Sequence, residues 1–178
     1  ENLRQGQQIL PTGTLIGPAE ASLIATMGHH EAETISKPTI AVISTGDELV
    51  QPGTELSPGQ IYESNSYGIA SLVEKMGATA KRYGVVHDNT EGLRTTLNEA
   101  AESCDAILTS GGVSMGEWDL VRRLMEDEGE ALFWKVLIRP GGPPLCGSWK
   151  GTPLFGLPGN PVSSHVVFIS LVAPWLAQ

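Results

Sequence analysis

The sequence predicts a three-layer αβα fold, in which a mostly parallel, doubly wound sheet carries an antiparallel edge strand. The first observation is that short apolar runs alternate with amphipathic segments that start at a capping residue, as in strands joined by crossover helices. The second is a pair of short apolar runs, residues 145–149 and 152–157, separated by Lys150 and Gly151. This pair is typical of a β-hairpin, which would supply the antiparallel edge strand.

The predicted elements can be followed in chain order. Residues 39–44 are continuously apolar and β-branched, which is expected of a strand covered on both faces. The next strands are predicted at residues 80–86, 105–108 and 131–138. Helices are predicted at residues 64–76, 90–101, 117–128 and 162–176. Residues 64–66 are expected to cap the first of these helices, and Thr90 is expected to cap the second.

Residues 1–36 differ in character from the rest. They contain a predicted short strand and turn at residues 9–14 and a predicted helix from Pro18 to Gly28. Because this segment cannot form a core alone, we expect it to be a segment of a neighbouring domain. The main domain is therefore expected to cover residues 37–178.

Composition excludes several classes of partner. The chain of 178 residues has a formal net charge of −9, which argues against a nucleic-acid surface or an anionic membrane as partner. Its two cysteines, Cys104 and Cys146, have no metal-ligand spacing and are expected to be reduced thiols. The N-terminal residues do not resemble a signal peptide, and the apolar residues 162–176 are too short for a bilayer. A cytoplasmic location is the expectation.

Polar, glycine-rich segments follow five of the predicted strands. In parallel sheets the carboxyl ends of the strands meet at one rim, where ligands of doubly wound folds bind. The segment from Thr109 and Ser110 through Gly111 and Gly112 joins a strand to a helix, and such a turn presents free N–H groups to a phosphate or another oxyanion. The alternative is a tight connection that binds no ligand.

Three aspartates, Asp47, Asp88 and Asp119, are expected at the same rim. Carboxylates beside an anion site repel the anion unless a divalent cation lies between them, and Mg²⁺ prefers one or two carboxylates together with phosphate oxygens. The rim therefore predicts a magnesium-bridged phosphate or pyrophosphate. Taken singly, Asp47 and Asp88 are each equally well explained as a turn or cap residue. Ser114 and Ser163 are candidate donors to the oxyanion, although each could equally cap a helix.

Four segments together resemble the molybdopterin molybdenumtransferases, the MoeA and gephyrin E-domain group. These segments are residues 44–50 (STGDELV), 109–116 (TSGGVSMG), 133–136 (FWKV) and 156–163 (GLPGNPVS). The resemblance implies that residues 37–178 are a molybdopterin-binding domain. It further implies Mg²⁺-dependent insertion of molybdate into adenylylated molybdopterin with release of AMP. A homo-oligomer, dimer or trimer, and other proteins of molybdenum cofactor synthesis are expected as partners.

The resemblance also assigns roles to residues. Asp47, Asp88 and Asp119 would serve catalysis and bind the metal. The substrate-binding set would be Thr109, Ser110, Gly111, Gly112, Ser114, Arg139, Pro158, Gly159, Asn160, Pro161 and Ser163.

One segment departs from the family pattern. Where the family carries Lys-Pro-Gly-Lys, this chain has Arg139 and ends in Gly142. Arginine can replace the first lysine with a different geometry, whereas glycine cannot replace the second. Two alternatives therefore stay open. One is a non-catalytic molybdopterin-binding or scaffold module, and the other is a different enzyme on the same fold, a molybdopterin adenylyltransferase or a nucleotide pyrophosphatase.

Overall fold

A computed structural model describes residues 4, 6–113 and 119–177. The chain divides into two compact units, residues 1–36 and residues 37–178. The first unit contains helix α1, Pro18–Thr26, where the Gly17 N–H donates to the Glu20 carboxylate at 3.0 Å. The strand predicted within residues 9–14 is not formed, because the described part of this unit offers it no partner strand. The predicted turn is present, and in it the Thr14 N–H donates to Pro11 C=O.

The second unit is organised around a six-stranded sheet, beside which lies a small two-stranded parallel sheet of β2 and β3. The strands are β1 Thr39–Thr45, β2 Leu49–Val50, β3 Ile61–Tyr62, β4 Thr79–Val86, β5 Ala106–Ser110, β6 Glu130–Trp134, β7 Leu145–Trp149 and β8 Thr152–Leu157. The helices are α2 Asn65–Lys75, α3 Thr90–Ser103, α4 Leu120–Asp127, α5 Pro161–Val167 and α6 Ala173–Leu176, with a π-helical turn at Phe168–Val172 between the last two.

The large sheet has the strand order β4-β1-β5-β8-β7-β6. Neighbours from β4 to β8 are parallel, and β7 pairs antiparallel with both β8 and β6. This confirms the predicted mostly parallel sheet and places the edge strand β6 in an antiparallel pair. The hairpin was predicted to supply the edge strand. Its antiparallel strand, β7, lies one position inside the edge instead, between β8 and β6.

The predicted hairpin is present and turns at the predicted residues. Trp149 pairs with Thr152, and both Lys150 and Gly151 have positive φ, 49° and 83°. Two consecutive positive φ angles define the turn type that matches the right-handed twist of the flanking strands.

Two layers of side chains cover the sheet, as the apolar run of β1 predicted. Alternate residues of β1 point to opposite faces: Ala41 and Ile43 join the core formed with α3 and α4, and Ile40 and Val42 join the core formed with α2 and α5. All four side chains are fully buried. The arrangement is the three-layer αβα architecture.

Three predicted boundaries are wrong. Strand β6 ends at Trp134 rather than at residue 138, because Lys135 has a φ of 74° that no strand accommodates. Helix α3 is capped by Asn89, whose side chain accepts from Gly92 N–H at 2.6 Å, rather than by Thr90. The C-terminal helix is interrupted by the π-helical turn before Pro174, since proline cannot donate to an α-helical bond. Among the described residues, no helix has the length and apolar character that a membrane crossing needs.

Candidate functional site

A cleft of about 350 Å³ lies at the carboxyl ends of the parallel strands. Strand β1 contributes Thr45, and β5 leads into Ser110, Gly111 and Gly112. The loop after β8 contributes Gly159 and Pro161. These segments come from neighbouring strands of the sheet, so the cleft occupies the position at which doubly wound folds bind ligands.

The glycine turn after β5 forms one wall of the cleft. Gly111 and Gly112 have φ angles of 94° and 65°, and the Gly111 N–H donates to Leu157 C=O at 3.1 Å. A Cβ atom at Gly111 would lie 2.7 Å from the Thr45 carbonyl oxygen. The turn therefore requires glycine for its conformation and for its contact with the end of β1.

An acidic rim lies beside this turn. Asp88, Glu48 and Asp119 line the cleft, and Asp47 is joined to the rim because its carboxylate accepts from the Asp88 N–H at 3.0 Å. Partial burial raises the pKa of Asp88, and the negative charges of Asp47 and Glu48 raise that pKa further. A backbone hydrogen bond with Asp47 partly offsets the shift. His87 contacts the Asp47 carboxylate through Nδ1 at 3.3 Å.

Asp119 stands at the N-terminus of α4, where its carbonyl accepts from Arg123 N–H at 3.1 Å. Ser114 lies outside the described residues, so its predicted role stays a prediction. Among the residues that the structure describes, no three His, Cys, Asp or Glu side chains are arranged to hold a metal ion by themselves. The predicted magnesium site likewise stays a prediction.

The loop after β8 is held by its own hydrogen bonds. The Asn160 side chain accepts from Ser163 N–H at 3.1 Å and caps α5, and Pro158 C=O accepts from the Ser164 hydroxyl. Gly159 and Pro161 line the cleft. Pro158, Asn160 and Ser163 do not line the cleft. The hydrogen bonds of Pro158 and Asn160 fix the shape of the loop instead.

Arg139 and Gly142 are not brought to the cleft. Arg139 is exposed, and neither residue lines the cavity. Their loop packs beside α5 instead, with the Cβ position of Gly141 only 3.3 Å from Ser163 C=O. The loop was predicted at the rim because it was expected to follow a strand directly. Strand β6 instead ends at Trp134, five residues before Arg139.

Two cleft residues were missed by the sequence analysis. Glu63 is 1 % exposed, and its carboxylate accepts from the Ser44 hydroxyl and from both the N–H and the hydroxyl of Ser66. Arg82 lies 3.7 Å from the same carboxylate. An acidic residue directly before a predicted helix was the available signal, since carboxylates stabilise helix N-termini.

Asn65 is the second missed residue. Its Nδ2 donates to the Ser110 hydroxyl and to Gly159 C=O, both at 2.7 Å, so it ties α2 to the glycine turn and to the loop after β8. Local sequence reasoning treated Asn65 as part of a helix cap.

Three buried polar atoms around the cleft have no hydrogen-bond partner among the described residues: Thr45 Oγ1, Asn65 Oδ1 and Thr109 Oγ1. Thr45 and Asn65 line the cleft, whereas Thr109 is fully buried within β5. A buried polar atom without a partner is costly and calls for a ligand or a water. The fold and this cleft define a doubly wound α/β protein with a polar cleft and an acidic rim at the carboxyl ends of its parallel strands.

Comparison with known proteins identifies the family. Residues 41–178 match the model of the probable molybdopterin binding domain, and the chain belongs to this family. It is 36% identical over 178 residues to a molybdopterin molybdenumtransferase from Haemophilus influenzae. It is 38% identical over 181 residues to molybdopterin molybdenumtransferase 2 from Mycobacterium tuberculosis. These alignments span 100% and 98% of this chain but only 44% of each relative.

Solved structures agree with the fold. The chain superposes on the molybdopterin biosynthesis MoeA protein from Pyrococcus horikoshii with a TM-score of 0.81 and 36% identity, over 91% of this chain and 40% of that one. A crystal structure of molybdenum cofactor biosynthesis protein B shares the fold with a TM-score of 0.60 at 15% identity, over 81% of this chain and 94% of that one. This chain thus spans less than half the length of its curated relatives.

Proposed function

We propose that this chain is the molybdopterin-binding part of a molybdopterin molybdenumtransferase, with adenylylated molybdopterin and molybdate as its substrates. The observation that carries the proposal is the cleft, in which the glycine turn after β5 lies beside Asp88 and Asp119. A glycine turn and an acidic rim together suit a phosphate or pyrophosphate bound with a divalent cation. Because the Gly111 N–H already donates to Leu157 C=O, the proposed donors to the anion are the Gly112 N–H and nearby hydroxyl groups. Membership of the molybdopterin-binding family supports the choice of ligand.

The proposed roles of the chain's own groups follow from their chemistry. Thr45 and Ser110 line the cleft, and their hydroxyl groups are proposed to donate to acceptor atoms of the substrate. The loop from Pro158 to Pro161 shapes the far side of the cleft. Ser114 is proposed to contact the phosphate or molybdate, and Thr109 to support the turn from below. Ser163 does not line the cleft, and its proposed role is to hold the loop after β8 through Asn160.

The rim suits a magnesium ion, because the pKa of Asp88 is raised by partial burial and by the charges of Asp47 and Glu48. A cation at this position would relieve the repulsion among these carboxylates. We propose Asp47, Asp88 and Asp119 as the residues that hold Mg²⁺. When bound, the ion would neutralise phosphate charge and so favour release of AMP.

A second function is favoured by one specific observation. The family resemblance places a lysine where this chain has Gly142. Fewer cations near the site would weaken molybdate binding. The alternative is therefore a module that binds molybdopterin without inserting molybdate.

AMP release separates these functions. The chain is incubated with adenylylated molybdopterin, molybdate and Mg²⁺, and AMP is measured by chromatography beside a molybdenumtransferase of standard sequence. Molybdate-dependent AMP release supports the transferase. Substrate binding without AMP release supports the binding module, and failure to bind adenylylated molybdopterin refutes both.

The Gly142→Lys variant tests the role of the missing cation. A Cβ atom at Gly142 would lie 3.3 Å from Ile138 C=O and 3.7 Å from Val136 C=O, so a side chain fits after a small shift. Because Gly142 itself does not line the cleft, a lysine there contacts molybdate only if its long side chain reaches the cleft. In that case one charge-assisted contact should raise AMP release at limiting molybdate by about tenfold. Unchanged AMP release would exclude position 142 from the molybdate site. Leu137→Lys, at a fully exposed position of the same loop, is the control for added charge and should change nothing. Equal effects of the two variants would contradict a specific role for position 142.

Three further proposals complete the assignment. Residues 1–36 are proposed to be a segment of a neighbouring domain, because the described part of this unit contains one helix, none of whose residues is buried. A homo-oligomer and contact with other proteins of molybdenum cofactor synthesis are proposed from the family resemblance. The two free cysteines, Cys104 and Cys146, support a reducing compartment such as the cytoplasm.

A further inference from the structure

Asn65 lines the cleft, and its side-chain oxygen forms no hydrogen bond with any described residue. Its Nδ2 donates both of its hydrogens, one to the Ser110 hydroxyl and one to Gly159 C=O. Because a carbonyl oxygen can only accept, the Gly159 contact fixes which end of the amide is nitrogen. The other end, Oδ1, is therefore an acceptor, and it is buried without a donor among the described residues.

The same contact fixes the role of Ser110. Its hydroxyl oxygen accepts from Asn65, so the hydroxyl proton is directed elsewhere and has no acceptor among the described residues. Ser110 is 2 % exposed and lines the cleft together with Asn65. Two unused groups therefore lie next to each other in one wall of the cleft: a donor, the Ser110 hydroxyl, and a buried acceptor, Asn65 Oδ1.

This pair distinguishes between ligand groups. An ionised phosphate or molybdate oxygen carries negative charge and no proton, so Asn65 Oδ1 would repel it rather than bind it. A ring that places an N–H beside an acceptor atom satisfies both partners at once. Pterin and adenine both have such an edge, whereas an inorganic oxyanion has none.

We propose that Asn65 and Ser110 form a subsite for the N–H-bearing edge of a heterocycle, with Asn65 as the residue that selects it over an oxyanion. This inference rests on the proposed function and deepens it. The cleft is divided into two parts: the glycine turn at Gly111 and Gly112 takes the anionic group, and the Asn65 side takes the ring. An oxyanion without a ring should not need Asn65.

The test measures binding of three probes by calorimetry with the full chain: 6-hydroxymethylpterin, AMP, and inorganic pyrophosphate with Mg²⁺. In Asn65→Ala, affinity for the ring recognised by the subsite should fall about tenfold or more, as expected for one lost hydrogen bond in a buried site. Pyrophosphate affinity should stay within about twofold of the parent value, a difference smaller than one weak hydrogen bond. Loss for pterin alone assigns the subsite to the pterin, and loss for AMP alone assigns it to the adenine.

Two further variants keep the test decisive. Asn65→Asp retains an acceptor oxygen and adds negative charge, so ring binding should exceed that of Asn65→Ala while pyrophosphate binding weakens. Asn98→Ala is the control for losing an asparagine that links two distant segments. The Asn98 side chain accepts from Trp149 Nε1 at 2.9 Å outside the cleft. This variant should leave all three affinities unchanged.

Equal loss of pyrophosphate and ring binding in Asn65→Ala, or unchanged ring binding, would overturn the inference. If the parent chain bound neither ring, the proposed function itself would fail. The two failures are therefore distinguishable.

Discussion

Replacing Gly111 with alanine tests whether the glycine turn is held against the end of β1. Gly111 has a φ of 94°, and a Cβ there would lie 2.7 Å from Thr45 C=O and 3.0 Å from Thr45 Oγ1. A positive φ costs a residue with a Cβ about 1–2 kcal/mol. Because the first contact is with backbone that cannot rotate away, overpacking adds about 1–3 kcal/mol. The expected loss in free energy of unfolding is therefore about 2–5 kcal/mol.

A matched glycine separates the two contributions. Gly151 has a φ of 83°, but a Cβ there would meet no atom within 4 Å, so Gly151→Ala should cost only the conformational part, about 1–2 kcal/mol. The assay is urea unfolding of the three proteins, followed by calorimetric binding of pyrophosphate with Mg²⁺. Gly111→Ala should be the less stable variant and should lose pyrophosphate binding, while Gly151→Ala keeps it. Equal stability and equal binding of the two variants would refute the contact between the turn and β1.

Two other predictions concern carboxylates at the cleft. The pKa of Asp88 is raised above its ordinary value of 3.8, so Asp88 favours folding below that value and loses this contribution as the pH rises through its folded pKa. Asp88→Asn should therefore be more stable than the parent at neutral pH, by about 0.5 kcal/mol or less at this exposed site. The gain should vanish toward pH 3.8 in unfolding curves, and a gain that persists in acid would contradict the charge argument. Glu63→Ala leaves Arg82 and two serines without their buried carboxylate and should cost about 3–5 kcal/mol. Glu63→Gln, which keeps the shape but loses the charge, should recover only part of this in thermal unfolding, and full recovery would indicate a purely steric role.

The fold was predictable because its signals are local. The run from Thr39 to Thr45 buries alternate residues in two different cores, so it had to be apolar throughout. Lys150 and Gly151 marked the hairpin by their spacing between two apolar runs. These features depend on side-chain alternation and turn chemistry, which the sequence displays directly.

The cleft was only partly predictable because several of its contacts are distant in the chain. Asn65 lies 45 residues from Ser110 and 94 from Gly159, and a capping pattern around residue 64 explained it locally. Arg139 was placed at the rim because an eight-residue strand was expected before it. Strand β6 ends early and is separated from β8 by β7, a distance of about 10 Å across two strand spacings.

The charges of the cleft connect its two proposed parts. Among the described residues that line it there is no lysine or arginine, whereas Glu48, Glu63, Asp88 and Asp119 are all present. Glu63 is neutralised locally by its hydrogen bonds and by Arg82, so the carboxylates left to face an anion are those of the rim. N–H groups and hydroxyls alone are weak against several negative charges. An anionic substrate is therefore best held when a divalent cation accompanies it and when its ring binds at the proposed Asn65 subsite. Ring recognition should then contribute a larger share of the binding free energy here than in a site that has its own lysines.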